Sequence, residues 1–170
     1  MSCIEYKRDE HWKELDRPWW PVSIFYRHYE VLRPMEFQTS VIGCYGEIRR
    51  KSDGRMLAVL FEDGRLEVYA GYYWDGPSGP TIDTYAFIMA SLPHDVLYQM
   101  LREEVIINRR HYATLQSMDN RFKKLRKWSD DTMRTLNLAY GMCEFRADYT
   151  YKSVRWFGRK HALPASLKLK

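Results

Sequence analysis

Cysteine is scarce in this chain of 170 residues: Cys3, Cys44 and Cys143 are odd in number, far apart and without a C-x-x-C pair. That argues against a disulfide framework and predicts reduced thiols in a cytosolic compartment. No apolar run approaches the ~18 residues that a membrane helix requires. The opening MSCIEYKRDEHWKEL lacks the apolar core of a signal peptide, so the expectation is a soluble, intracellular protein with no membrane span. A Gly-rich phosphate loop, a zinc knuckle and an RNA-binding aromatic signature are also missing, as are internal repeats and low-complexity segments.

What the chain has in quantity is aromatic surface, with thirteen Tyr and six Trp. Such rings build large cores or interfaces. The formal charge of +5 permits weak attraction to acidic surfaces, but 22 acidic residues interleave with the 27 basic ones. A mixed surface of that kind predicts no specific nucleic-acid binding. The length suits one domain with arms.

Residues 1–20 form an N-terminal arm in which charges alternate with Trp12, Trp19 and Trp20; a short helix or arm to Leu15 is broken by Pro18 and Pro21. The stretch 22–32 favours strand, and a second strand is expected over 38–50, with Lys51-Ser52-Asp53-Gly54 as its turn. Leu57, Val59 and Phe61 alternate with their neighbours, Asp63-Gly64 lies in the turn, and Leu66, Val68 and Ala70 resume the alternation. Asp-Gly between alternating runs predicts a hairpin, so 38–74 reads as an antiparallel meander. A helix capped by Thr81 or Asp83 then begins, and Pro93 should kink or restart it with Ser91 as the new cap. Further helices are expected over about 109–128 and from Ser129-Asp130-Asp131 to Gly158, the latter bent near Gly141. The basic tail 159–170 reads as extended. The fold class predicted is α+β, an antiparallel meander followed by three or four helices packed on one face, with residues 21–158 as the single domain.

Polar chemistry is concentrated in YYWDGPSGPTIDTYAFIMASLPHDVLY, residues 72–98. Asp75, His94, Asp95 and the more distant Asp119 can compose an acid/base or metal cluster, with His94, Asp95 and Asp119 as ligands of a divalent cation. His94-Asp95 partly resembles the HD-type phosphohydrolases, whose metals activate water. Those enzymes add an upstream helical histidine, whereas His11 and His28 fall in an arm or strand. Ser78 as nucleophile with His94 as base is a second arrangement, weakened by the divergent directions of adjacent His and Asp on a helix and by the absence of a nucleophile elbow. The bland alternative is a loop clamp: Asp75 and Ser78 closing turns, His94 bonding a loop carbonyl, Asp119 pairing with Arg110, Arg121 or the His94 region. The basic run 121–127 with Trp128 reads as a solvated helix face.

The order Asp75-Gly76-x-Ser78-x-Pro80, Ala90-x-x-x-His94-Asp95-x-Leu97-Tyr98, Asp119-x-x-Phe122 and Tyr151-x-x-Val154-Arg155-x-Phe157-Gly158 resembles a phage- and prophage-associated domain of unknown function over about residues 55–158. The resemblance implies a phage-encoded protein in the host cytoplasm or the virion. Two roles follow from it. One is a virion- or tail-associated structural or assembly protein, with Trp12, Trp19, Trp20, Lys168 and Lys170 docking other phage proteins or further copies. The other is a hydrolase, using a divalent metal or no cofactor, with catalytic His94, Asp95, Asp75 and Ser78.

Overall fold

A computed structural model describes residues 12–14, 29–76, 84–107 and 114–168. Strands come first: β1 (Trp12–Glu14), β2 (Tyr29–Val31), β3 (Met35–Gln38), β4 (Gly46–Arg49), β5 (Met56–Leu60), β6 (Arg65–Val68) and β7 (Tyr73–Trp74). Helices α1 (Tyr85–Arg102), α2 (Leu115–Ala139), α3 (Glu144–Phe157) and the single turn α4 (Arg159–Ala162) follow. This is the expected α+β order. The strands form two antiparallel sheets, β1-β2-β7 and β3-β6-β5-β4.

The predicted hairpin is β5–β6. Gly64 adopts φ +87° in its turn, a conformation that glycine reaches without steric cost. Asp63 Oδ1 accepts a bond from the Arg65 amide at 3.0 Å, an Asx turn that closes the reversal. In β6 the alternation holds, with Leu66 and Val68 in the core. In β5 the core-facing residues are Ala58 and Leu60, opposite Val68 and Leu66, so Leu57 and Val59 lie on the other face. Burial on both sides of β5 had blurred the phase, since Ala58, Val59 and Leu60 are all buried.

Expectations for the arm and the helices are corrected as well. Residues 12–14 are an edge strand paired with β2, not part of a helix. Pro93 does not divide α1, which runs unbroken for 18 residues with Ser91 inside it. Its neighbours Leu92, Val96 and Leu97 are buried on the core, and that packing holds the helix through the lost N–H. Ser129-Asp130-Asp131 does not start a helix. It lies within the 25-residue α2, which is capped instead by reciprocal Thr114 and Ser117 bonds. Met118, Phe122, Leu125, Ser129, Met133 and Asn137 give α2 one continuous buried face at steps of three and four. The long C-terminal helix is broken at Gly141, whose φ of +87° ends α2, and α3 begins three residues later.

One core joins the sheet residues Ile48, Leu60, Leu66 and Val68 to Leu92, Val96 and Leu97 of α1 and Phe122 and Leu125 of α2. The tail is not extended: it forms α4 and a 3-10 turn (Ala165–Leu167) that place Ala162 and Leu167 in this core.

Candidate functional site

His94 and Tyr98, one turn apart, point from α1 toward α2. The group they meet is Asp130. Its Oδ1 accepts bonds from His94 Nε2 at 3.0 Å and Tyr98 Oη–H at 2.7 Å. Its Oδ2 accepts from Arg155 Nη1 of α3 at 2.7 Å, with Arg126 Nε at 3.9 Å one turn earlier on α2. Arg126 Nε also donates to the Tyr98 oxygen at 3.3 Å. Its Nη2 reaches the carbonyls of Val154 (3.0 Å) and Arg155 in the last turn of α3. Three helices are thereby joined through one carboxylate. Asp130 is fully buried and the His94 side chain is 7% exposed.

Burial by itself would push the His94 imidazole down, but hydrogen bonds and charge from Asp130 and Asp95 outweigh it and hold the pKa up to about 9. His94 is therefore a cation at neutral pH, donating from Nε2 to Asp130 and from Nδ1 to Asp95 Oδ1 at 3.3 Å. Burial would raise Asp130, yet the bonds from His94, Tyr98 and Arg155 carry it below the usual carboxylate range. Asp95 goes the other way: desolvation raises it despite the pull of His94. The Tyr98 phenol is raised by burial and by the Asp130 charge, so it stays a donor. A protonated imidazole already shared between two carboxylates has no lone pair for a metal or for base catalysis.

Of the residues that the sequence singled out, His94 and Asp95 are together, and exposed Asp75 lies close enough for its charge to act on Asp95. Asp119 is elsewhere. It sits eleven residues before Asp130 on α2, about 16 Å along the axis. There it pairs with Lys123 Nζ at 2.6 Å and Arg159 Nη2 at 3.5 Å. The ligand set His94, Asp95 and Asp119 is thus not assembled, and among the described residues no three His, Cys, Asp or Glu side chains gather as a metal site. Ser78, Trp19, Trp20 and Lys170 lie outside the described residues, and of Trp12 only the backbone strand is described. Lys168 is exposed on the rim of an open groove of about 710 Å³, lined also by Asp119, Trp156, Phe157, Arg159, Lys160 and Leu167.

Strand β7 and α1 are tied by residues outside the expected set: Trp74 Nε1 donates to Ser91 Oγ at 3.1 Å, and Ser91 donates on to the Ile88 carbonyl at 2.8 Å. The basic run of α2 divides by face. Lys123 and Lys127 bond Asp119 and Asp131 in the solvent layer, while Phe122, Leu125 and Arg126 are buried. Asp130 was missed because acidic residues after Ser129 mimic a helix start. The available signal was its position in register with Phe122, Arg126 and Met133, since a carboxylate on an apolar stripe requires a buried partner.

A second feature stands out at the surface. Phe145, Tyr149, Trp156 and Phe157 of α3 are 85%, 59%, 74% and 71% exposed. Compared with protein-family models, with curated proteins and with solved structures, the chain matches none.

Proposed function

We propose that this chain is a structural or assembly protein, virion- or tail-associated in a phage, and that its polar cluster is a helix clamp rather than an active site. The observation that carries this is the saturation of Asp130: both carboxylate oxygens are engaged, the imidazole is charged, and the cluster is buried behind three helices. Catalytic groups need access and a free proton site, whereas a closed ionic network fixes one arrangement of helices. The exposed rings of α3 supply the complementary half of the reading, an aromatic surface of the kind that marks interaction sites. The phage setting rests on the resemblance carried by Asp75-Gly76-x-Ser78 and His94-Asp95-x-Leu97-Tyr98.

The competing role, a hydrolase working through Asp95, Asp75 and His94, draws on the nearness of Asp75 to a carboxyl whose pKa is raised. One experiment separates the two. Purified protein and Asp95→Asn are assayed against phosphoester, peptide and glycoside substrates with Mg²⁺, Mn²⁺ or Zn²⁺, and tagged chain is followed into assembled particles. The expected result is no turnover above buffer, incorporation of the wild type, and loss of incorporation in Phe145→Ala/Trp156→Ala. Turnover that Asp95→Asn abolishes overturns the assembly reading.

A further inference from the structure

Residues 145, 149, 152 and 156 of α3 follow each other at steps of four, three and four, so they occupy an arc of about 60° on one face. That face carries Phe145, Tyr149, Lys152 and Trp156, all exposed. The opposite face holds buried Ala147 and Thr150, so α3 is anchored on its inner side and aromatic on its outer side. The ends differ in charge. Glu144, with 81% of its side chain exposed, stands at the N-terminus, and exposed Arg159 and Lys160 follow the C-terminus.

We infer that two copies of this chain pair through α3 in an antiparallel, two-fold contact. This rests on the assembly reading above and names the partner of its docking face. The stripe is symmetric about its midpoint, aromatic at both ends. Reversing one copy sets Phe145 against the other copy's Trp156, and Lys152 over the other copy's Tyr149 as a cation–π pair. Reversal also carries Glu144 of each copy to the Arg159–Lys160 end of the other. A parallel pairing would place Glu144 on Glu144 and Lys152 on Lys152, which like-charge repulsion disfavours. The area suits a reversible, concentration-dependent pair. The three rings of the stripe, at roughly 150–250 Å² each and at the exposures above, offer about 330–550 Å² per copy before Lys152 and the flanking stems are added, toward the ~800 Å² per partner of a standard interface. A polyanionic partner in the neighbouring groove is less well served, because Asp119 on its wall is paired with Arg159 and lowers the local positive charge.

Sedimentation velocity of the full chain from nanomolar to high micromolar concentration tests this. The wild type is expected to pass from monomer to dimer, and Phe145→Ala/Trp156→Ala to raise the dissociation constant about 30-fold or more. Glu144→Lys and Lys160→Glu each weaken the dimer, and the two together restore it. Within one chain these residues stand at opposite ends of α3, so only an antiparallel partner can reunite them. All four side chains are exposed, and circular dichroism confirms that the variants keep the fold. A wild type that stays monomeric throughout overturns the inference, as does a dimer indifferent to the ring substitutions or not restored by the double charge reversal. A monomer that still enters particles rejects self-pairing alone, while a dimer with hydrolase turnover rejects the assembly role alone.

Discussion

Replacing His94 with Gln tests the central claim about the clamp, that a charged imidazole stabilises the fold. The folded chain holds the His94 proton to about 9 against 6.5 for free imidazole. At about 1.4 kcal/mol per pH unit, the difference contributes on the order of 3 kcal/mol. The sign follows from proton binding. Below pH 6.5 folded and unfolded chains both carry the proton and the stabilisation is complete. Between 6.5 and 9 only the folded chain retains it, so stability falls as pH rises, at up to about 1.4 kcal/mol per pH unit. Above 9 the contribution is lost. Urea denaturation at half-unit steps from pH 6 to 10 measures the profile for wild type and His94→Gln. Gln keeps a donor toward Asp130 but does not titrate, so the variant should be about 3 kcal/mol less stable at pH 6, with the gap narrowing from pH 6.5 and closed above 9. Groups raised by burial outside the network, such as Cys44, titrate alike in both chains and cancel in the difference. Parallel profiles across the whole range would refute the reasoning, because they would mean that His94 is neutral or unpaired.

Asp130→Asn removes the charge that His94, Arg126 and Arg155 share, and leaving His94 and Arg126 buried without it should cost about 3–5 kcal/mol by thermal or urea unfolding at pH 7; a loss below about 1 kcal/mol contradicts the network. Gly158→Ala would put a Cβ at 2.5 Å from the Val154 carbonyl and 2.7 Å from Tyr98 Oη, so a loss of about 1–3 kcal/mol is expected, and an unchanged melting temperature argues against that close approach. Ser91→Ala strips the buried Trp74 indole N–H of its acceptor, and a loss of about 1–3 kcal/mol is expected in urea. Ending the chain at Gly158 withdraws Ala162 and Leu167 from the core along with the bond from Arg102 Nη1 to the His161 carbonyl at 2.9 Å. The truncated protein should melt earlier or precipitate, and a full-stability truncation would show that the tail is a removable arm.

Local rules carried the reading of the β half and of the helix termini that glycine marks. Asp63-Gly64 dictated the β5–β6 turn because only a residue tolerant of positive φ closes it cheaply. Gly141, expected as a bend, ends α2 at φ +87°, whereas Gly158 closes α3 in helical backbone (φ −72°), where the close approach of Tyr98 rather than a positive φ excludes a side chain. Amphipathic spacing on either side of Trp128 was read correctly, but as two helices. The sequence contains a good helix start at Ser129-Asp130-Asp131, and nothing local says that the preceding turn continues through it.

By itself, then, the chain's sequence determined the α+β order, the place of the β5–β6 turn and the pairing of His94 with Asp95 as neighbours on one helix. Which carboxylate answers His94 was settled only by tertiary packing. The competition between Asp119 and Asp130 depends on how far α1 and α2 slide past each other, and that is decided by the buried apolar face from Met118 to Met133 rather than by either acid. Hydrophobic burial is roughly proportional to area and blind to charge, so it chose the alignment; the ionic groups that came into register then had to be satisfied there, at Asp130.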